Sequence, residues 1–348
     1  MQEFSTRLIA WQKRHGRHDL PWQQTRDAYR IWLSEIMLQQ TQVATVIPYY
    51  ARFLERFPDI QALAAAPVEE VLELWAGLGY YARARNLHRC AQEVVARYGG
   101  VFPRLPAEIA ELPGIGRSTA AAIASFAYGA RAAILDGNVK RVLTRCFGIE
   151  GFPGKPAIER ALWQLAESLL PATGGEAYTQ GLMDLGATLC TRSRPRCGDC
   201  PMRGLCVAER DGRQTELPHV KPAKALPERE AVVTIFTDGV SVLLERRPPS
   251  GIWGGLLALP EGEPEILAAQ LGLRAAGSEA LPPLRHTFTH FRLTLLPRRC
   301  MVTRTPKAGE GRYEWLALDG IERAALPTPI RKLLGETKDS LCVVPPHD

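Results

Sequence analysis

The stretch Leu112 to Leu143, LPGIGRSTAAAIASFAYGARAAILDGNVKRVL, constrains the fold more than any other part of the chain. Its run Pro113–Gly116 predicts a tight hairpin between two helices, because glycines accept positive φ and leave nearby amides unobstructed. A helix beginning near Arg117 would point its free N–H groups and positive dipole end in one direction, which suits a phosphate. The pattern therefore favours a nucleic-acid ligand, although glycine turns of this kind also occur in loops that bind nothing.

A carboxylate follows the hairpin at a second expected helix start. Asp136 lies twenty residues after Gly116, within the run Ile134–Asn138. An aspartate at this position is commonly just an N-cap. A carboxylate held beside a phosphate-binding hairpin would instead suit chemistry on a nucleic acid. The residues alone leave both interpretations open.

One glutamate interrupts an otherwise uncharged helical segment. Between Ile31 and Ala51 the only formal charge is Glu35, and Ile31, Glu35 and Leu38 share one predicted helix face. A helix that is apolar on all sides is usually buried, and burial raises the pKa of a carboxyl group. Alternatively, Glu35 reaches solvent beside Ser34. The uncharged polar run 39–42 suits either hydrogen bonds to base edges or a solvated helix end.

Length and charge fit a chain of several domains with a polyanionic partner. The 348 residues suit two or three domains, and the net charge of +6 lies mostly in residues 1–228 (+5) rather than 229–348 (+1). No secretion signal and no apolar run of about 20 residues is present. We therefore expect no membrane partner and a cytoplasmic, nucleoid-associated location.

Four of the eight cysteines form the loop Cys190, Cys197, Cys200 and Cys206, with spacing C-x6-C-x2-C-x5-C. Clustered cysteines in a chain without a secretion signal indicate metal binding rather than disulfides. Only one pair has the close spacing usual for zinc, so an iron–sulfur cluster is favoured while tetrahedral zinc stays open. The other four cysteines, Cys90, Cys146, Cys300 and Cys342, are expected to be ordinary buried thiols.

The pattern of apolar residues changes once along the chain. Residues 1–208 predict helices only, as one all-α domain with two lobes that contains the hairpin at 112–120 and the cysteine loop at 190–206. Residues 209–228 mix charges and prolines and predict a linker. Residues 229–348 predict an α+β domain, with a hairpin at Asp238-Gly239.

Taken together, the chain resembles the MutY family of adenine DNA glycosylases, within the endonuclease III or helix-hairpin-helix superfamily. The resemblance covers nearly the full length and is carried by SEIMLQQTQV (34–43), GLGYYARARNL (77–87), LPGIGRSTA (112–120), LDGNVKRVL (135–143), the cysteine loop and RHTFTHF (285–291). It implies an all-α helix-hairpin-helix domain whose four loop cysteines hold a [4Fe–4S] cluster, followed by a Nudix-like domain. It also implies a monomer that acts on duplex DNA containing adenine opposite 8-oxoguanine or guanine.

The resemblance assigns roles to three residues. Glu35 would donate a proton to N7 of an extruded adenine, Asp136 would stabilise or bond to the sugar oxocarbenium ion, and Asn138 would support it, as two carboxyl groups do in glycosidases. An ordinary glutamate with a pKa near 4.3 is protonated only about 0.2% of the time at pH 7, so burial of Glu35 matters. Asp136, at a helix N-terminus, is expected to stay ionised.

The resemblance also implies contacts with DNA. Ser118 occupies the position where bifunctional relatives carry a lysine, and a hydroxyl cannot form an imine, so a monofunctional enzyme is expected. The residues expected to contact DNA are Gln40, Thr41, Leu78, Tyr80, Gly114, Gly116, Ser118, Phe288, Thr289 and His290. The last three resemble an 8-oxoguanine-sensing loop usually written Phe-Ser-His, in which Thr289 keeps the hydroxyl and adds a methyl group.

Three other functions compete with this prediction. A bifunctional pyrimidine-lesion glycosylase and lyase is disfavoured by Ser118 and by the C-terminal domain. A non-catalytic iron–sulfur DNA-binding protein is disfavoured by Glu35, because burying a carboxyl group costs stability without adding affinity for DNA. An 8-oxo-dGTP hydrolase is disfavoured because Trp253–Gly255 and Leu259–Gly262 resemble a Nudix motif that lacks the carboxylates needed for Mg²⁺.

Overall fold

A computed structural model of the chain describes residues 2–221, 225–249, 251–304 and 311–341. The chain divides into two compact units: Met1–Ala65 with Asn86–Ala223, and Ala66–Arg85 with Lys224–Asp348. Residues 66–85, placed in the all-α domain by the sequence division, therefore pack with the second unit. The domain limits at 208 and 229 remain a prediction.

Helices make up the regular structure of the first unit. They are α1 (Gln2–His15), α2 (Ala28–Leu38), α3 (Val43–Arg56), α4 (Ile60–Ala65), α6 (Ala82–Tyr98, from Asn86 onward), α7 (Pro106–Ala110), α8 (Arg117–Tyr128), α9 (Gly137–Phe147), α10 (Pro156–Ser168), α11 (Gly175–Asp184) and α12 (Val207–Arg210), while α5 (Val68–Trp75) belongs to the second unit. No strand precedes residue 228 within the described ranges, as predicted.

The core of the first unit forms around α8, α9 and α11. Apolar residues of these helices, such as Ala122, Val142 and Leu182, are buried together with Phe4 and Leu8 of α1. Burial of such side chains stabilises by about 25 cal/mol per Å² of apolar surface. This core fixes the hairpin, Asp136 and the cysteine loop on one scaffold.

The hairpin forms as its glycines predict. Gly114 has φ +77°, and a Cβ there would lie 2.7 Å from Cβ of Asn86. Gly116 (φ −89°) is the N-cap of α8 and has open space around its Cα. Helix α7 ends at Ala110, because the chain turns before Leu112.

The second unit begins with α5 and the turn that follows it. The guanidinium of Arg83 donates to the carbonyl oxygens of Leu78 (3.1 Å) and Gly79 (3.2 Å) and lies over the rings of Trp75 and Tyr80. Tyr80 has φ +50°, a left-handed conformation that is uncommon for a large side chain. Arg83 thus braces a strained turn.

A mixed sheet forms the rest of the second unit. The strands within the described residues are β1 (Glu228–Thr237), β2 (Ser241–Arg246), β3 (Leu257–Ala258), β4 (Arg274–Ala275), β5 (Glu279–Ala280), β6 (Leu284–Thr287), β7 (Arg292–Thr303) and β8 (Tyr313–Ala317). Strand β1 pairs in parallel with β7 and antiparallel with β2, through the predicted Asp238-Gly239 turn. Helices α13 (Pro264–Leu271) and α14 (Thr328–Leu341) complete the α+β architecture.

The predicted linker is partly packed. Leu217 is buried, and its carbonyl oxygen accepts a hydrogen bond from Nε of Arg145 (2.8 Å). Residues 222–224 of this linker lie outside the described residues. Among the described residues, no helix is long and apolar enough to cross a membrane.

Candidate active site

A cavity of about 330 Å³ opens beside α2 in the first unit. The predicted face of α2 lines it, with Ile31, Glu35 and Leu38 all present. The opposite walls come from the chain between α1 and α2 and from α11, including Arg17, Trp22, Arg26, Glu176 and Gln180. This volume is large enough for a small planar ligand.

Glu35 is partly buried among apolar side chains of α2. Burial, and secondly the negative charge of Asp136, raises the pKa of Glu35 to about 8. A carboxyl group with this pKa is mostly protonated at pH 7. The prediction that the apolar helix raises the pKa of Glu35 is confirmed.

Asp136 is the N-cap of α9, as the sequence predicts. Its Oδ1 accepts the backbone N–H of Val139 at 2.8 Å. Burial raises the pKa of Asp136, while the amides of Val139 and Asn138 and the charges of Arg141 and Lys140 oppose the rise. Burial is the strongest of these influences, so the helix N-terminus does not keep the pKa of Asp136 at or below its ordinary value.

The two carboxyl groups differ in the groups that act on their pKa values. Asp136 receives backbone hydrogen bonds that favour its charged form, whereas both causes acting on Glu35 favour the neutral form. When two interacting carboxyl groups share a site, they titrate as a pair.

Ser118 and Asn138 support the segment that carries Asp136. Oγ of Ser118 accepts the backbone N–H of Leu135 at 2.9 Å. Oδ1 of Asn138 accepts from Arg141 Nη2 at 2.7 Å, and the same guanidinium donates through Nε to the carbonyl oxygen of Cys190 at 2.7 Å. Serine at this position therefore holds backbone in place and offers no amine.

A buried ion pair fixes the wall of the cavity opposite α2, and the sequence reading missed it. Asp184 is fully buried and accepts hydrogen bonds from the backbone N–H (2.9 Å) and Nε (2.7 Å) of Arg17 and from Gln180 Nε2 (2.9 Å). No local pattern in the sequence indicates this pair, because Arg17 and Asp184 lie 167 residues apart in the chain.

The four loop cysteines line one small cavity in the first unit. The buried Arg145 donates to the carbonyl oxygens of Thr191 (2.7 Å) and Arg192 (3.1 Å) and lies 3.4 Å from Sγ of Cys190. Within the described residues, no group of three or more His, Cys, Asp or Glu side chains converges closely enough for a single metal ion. Four thiols around a shared space are the ligand set of an iron–sulfur cluster and also of a structural zinc site. Of the other cysteines, Cys90, Cys146 and Cys300 are buried, as predicted, and Cys342 lies outside the described residues.

A second cavity, of about 740 Å³, lies within the second unit. Tyr80, Phe288, Thr289 and His290 line it together, so the structure brings four of the predicted DNA contacts to one place. Leu78 differs from them, because its side chain is buried.

The remaining predicted contacts lie in the first unit. Gln40 is exposed with φ +58°, and Thr41 is half-buried, both between α2 and α3. Gly114, Gly116 and Ser118 lie at the hairpin and the first turn of α8. The first backbone N–H groups of a helix such as α8 have no acceptor within the helix.

Three segments match known protein families. Residues 33–168 match the HhH-GPD superfamily of base excision DNA repair proteins. Residues 190–206 match the iron–sulfur binding domain of endonuclease III. Residues 231–336 match the NUDIX domain.

Individual relatives cover more of the chain. The adenine DNA glycosylase of Buchnera aphidicola (subsp. Acyrthosiphon pisum) is 36% identical over 347 residues, covering 97% of this chain and 98% of its own. The human adenine DNA glycosylase is 36% identical, covering 95% of this chain and 73% of its own. Among solved structures, a thermostable thymine-DNA glycosylase superposes with a TM-score of 0.55 at 33% identity, covering 60% of this chain and 95% of its own.

Proposed function

Because the chain belongs to the adenine DNA glycosylase family, we propose that it excises adenine opposite 8-oxoguanine or guanine in duplex DNA. The reaction is hydrolysis of the N-glycosidic bond, and the product is an abasic site. The observation that carries this proposal is the pairing of a neutral Glu35, whose pKa is raised to about 8, with the charge of Asp136.

The first step needs the adenine outside the base stack. A base within a duplex cannot be reached by side chains at its glycosidic bond, so it is extruded into a pocket. The cavity beside α2 is proposed as this pocket. There Glu35 donates its proton to N7 of the adenine. The protonated base can then leave the sugar as a neutral molecule.

The second step needs negative charge beside the sugar. As the glycosidic bond breaks, positive charge develops on the deoxyribose, and ionised Asp136 stabilises it. Water then adds to the sugar cation and releases one proton, which balances the proton that Glu35 gave to the adenine. Asn138, through Arg141, keeps the first turn of α9 in place.

We assign no lyase step to this chain. A lyase reaction through an imine requires an amine at the sugar, and Ser118 supplies a hydroxyl that already accepts the N–H of Leu135. Strand cleavage by a covalent enzyme intermediate is therefore not part of the proposal.

The cysteine loop is proposed to hold a [4Fe–4S] cluster through Cys190, Cys197, Cys200 and Cys206. The iron–sulfur domain match, the shared cavity and the soft thiol donors support this. These four cysteines would hold the cluster, and binding it would fix the path of the loop. Arg145, which bonds three backbone carbonyl oxygens, then holds the loop against α9.

Contacts to the DNA are proposed along both units. The hairpin amides hold phosphate, and the second cavity reads the base opposite adenine. The proposed DNA contacts are Gln40, Thr41, Leu78, Tyr80, Gly114, Gly116, Ser118, Phe288, Thr289 and His290. We further propose that the chain acts as a monomer, with an all-α glycosylase domain at 1–208, a linker at 209–228 and a mispair-recognition domain at 229–348.

A glycosylase assay tests the proposal. Four duplexes carry adenine opposite 8-oxoguanine, guanine, cytosine or thymine, and free adenine and alkali-labile sites are measured under single-turnover conditions. We expect release from the first two duplexes and little from the others. Borohydride trapping is run in parallel, with a lysine-bearing endonuclease III as positive control. Release of pyrimidines, or strong borohydride adducts with this chain, would refute the proposal.

A further inference from the structure

Trp253 adopts a backbone conformation that its side chain disfavours. Its φ is +56°, in the left-handed region where a large side chain crowds the backbone. The next residue, Gly254, has no space for a side chain, because a Cβ there would lie 2.5 Å from the carbonyl oxygen of Pro249. Such a conformation persists only when its surroundings hold it, and it is most common at functional sites.

Hydrogen bonds on both sides hold this turn. The carbonyl oxygen of Trp253 accepts the N–H of Leu256 at 3.0 Å, and the N–H of Gly255 donates to the carbonyl oxygen of Pro248 at 3.1 Å. Arg85, in the first turn of α6, donates through Nη1 to the carbonyl oxygen of Gly254 at 2.6 Å. The turn is therefore fixed independently of the Trp253 ring.

The ring of Trp253 packs against the loop that lines the second cavity. Its centroid lies 5.9 Å from that of Phe288, which stacks on Phe291 at 4.5 Å with 20° between the planes. The guanidinium of Arg229 lies 4.7 Å from the centroid of Phe291. Phe288 is thus held between Trp253 and a ring that is itself anchored.

The two polar residues after Phe288 are supported mainly by the rings beside them. Thr289 and His290 are exposed, and the side-chain hydrogen bond between them is long, at 3.4 Å. The His290 ring lies 4.8 Å from that of Phe291 and 6.3 Å from that of Phe288, measured between centroids. A backbone hydrogen bond from the N–H of Phe288 to the carbonyl oxygen of Phe291, at 2.9 Å, closes the loop. The orientation of these two side chains therefore depends on how the stacked pair Phe288 and Phe291 is held.

We propose that Trp253 is a positioning residue for recognition of the base opposite adenine. Its strained turn aims the indole at Phe288, and Phe288 in turn sets the direction of Thr289 and His290. This inference rests on the proposed function, since it concerns the discrimination between 8-oxoguanine and guanine. Trp253 itself need not touch the DNA.

The test compares three full-length variants, Trp253→Ala, Trp253→Gly and Trp253→Phe. Trp315→Ala is the matched control, because Trp315 belongs to β8 of the same unit and lies under Arg304 instead of lining the cavity. Single-turnover adenine release is measured opposite 8-oxoguanine and opposite guanine, and the ratio of the two rates is the readout. Thermal unfolding is measured for every variant.

We expect Trp253→Ala to lower the ratio about two- to tenfold, the range expected for a lost aromatic pair, through the 8-oxoguanine rate alone. Trp253→Gly should lose as much of the ratio while unfolding at a higher temperature than Trp253→Ala, because glycine accepts φ +56° without strain. Trp253→Phe should recover most of the ratio, and Trp315→Ala should keep it.

A Trp253→Gly protein that folds and keeps the wild-type ratio would overturn the inference, as would a fall of both rates in equal proportion. If the wild-type chain itself shows no preference for 8-oxoguanine, the mispair assignment fails and this inference fails with it. If the wild type shows the preference and Trp253→Ala retains it, only the role of Trp253 is refuted.

Discussion

The two cavities of this protein differ in the groups that line them. The cavity beside α2 measures about 330 Å³ and contains the partly buried Glu35, close enough to Asp136 for that charge to raise its pKa. The cavity of the second unit measures about 740 Å³ and is lined by rings, among them Tyr80, Trp253 and Phe288. The first cavity contains an ionisable carboxyl group that is partly shielded from water. The second presents the flat faces of aromatic rings.

This difference predicts how each site responds to substitution. Electrostatic interactions are strong where water is excluded, so loss of one carboxyl group changes a rate by orders of magnitude. Ring contacts are each worth about 0.5–1.5 kcal/mol, so loss of one changes a preference by about tenfold at most. Chemistry should therefore depend on the first cavity and selectivity on the second.

The largest effect is expected for Glu35→Gln. The amide keeps the shape of the side chain but cannot donate a carboxyl proton, so single-turnover adenine release should fall by about 10²–10⁴-fold with DNA affinity retained. Glu176→Gln is the matched control, since Glu176 lines the same cavity but is exposed and paired with Arg26. If both variants lost the same amount of adenine release, Glu35 would have no role in the reaction beyond that of any acid in this cavity.

Asp136→Asn should follow, with a loss of about 10²–10³-fold in adenine release, because the sugar cation loses its counter-charge. Asparagine is as good an N-cap as aspartate, so α9 and the thermal midpoint should be nearly unchanged. Rates and unfolding curves together check this. A large drop in thermal midpoint would instead point to a structural role for Asp136.

The stability of the protein should depend on pH through Glu35. Its pKa in the folded state, about 8, lies above the ordinary value of 4.5, so this contribution to stability is fully present below pH 4.5 and lost as pH rises through about 8. Glu35→Gln should remove this dependence and be more stable than wild type at pH 9, by on the order of a few kcal/mol at most. Urea unfolding at several pH values measures it. Parallel curves for the two proteins would contradict the burial of Glu35.

Ser118→Ala should have a moderate effect. The N–H of Leu135 loses its acceptor, which costs about 1–3 kcal/mol and loosens the approach to Asp136, so release should fall about tenfold. Ser125→Ala is the control on the same helix, because buried Ser125 has its 3.4 Å contact with Thr179 instead. It should lower stability while leaving the rate unchanged. If the rate for Ser125→Ala fell as much as the rate for Ser118→Ala, the hydrogen bond between Leu135 and Ser118 would have no particular importance for the reaction.

The smallest effect is expected for Phe288→Ala in the second cavity. Adenine release opposite 8-oxoguanine should fall about two- to tenfold while release opposite guanine stays unchanged, because only the loop that reads the opposite base is altered. Competition between the two duplexes measures the ratio directly. A loss of release on both duplexes would mean that the second cavity contributes to the chemical step. It would contradict the claim that chemistry depends on the first cavity and selectivity on the second.

Local patterns were sufficient to predict how the first unit places Glu35, Asp136 and the hairpin. A single charge in the apolar run of α2 predicted a perturbed Glu35, and the run before α9 predicted an N-cap at Asp136. Both depend on residues close in sequence, where helical periodicity and capping rules apply. The hairpin follows from the positive φ required at Gly114.

Long-range packing decided what the sequence could not predict. The pKa of Asp136 is raised because burial outweighs its capping bonds, and burial is a property of the assembled core. The Arg17–Asp184 pair joins residues far apart in the chain. Strands β3, β4 and β5 have two residues each, too few for a periodic signal. The left-handed Trp253 is held by hydrogen bonds around the turn, one of them from the distant Arg85 to Gly254.

The most direct test of the central claim is a carbon-13 NMR titration of the Glu35 carboxyl group in the DNA-free protein. The resonance is assigned by comparison with Glu35→Gln. The account predicts a midpoint near pH 8, and a lower midpoint in Asp136→Asn, because Asp136 is one of the two causes of the shift. A midpoint near the ordinary value of 4.5, unaffected by Asp136→Asn, would contradict it.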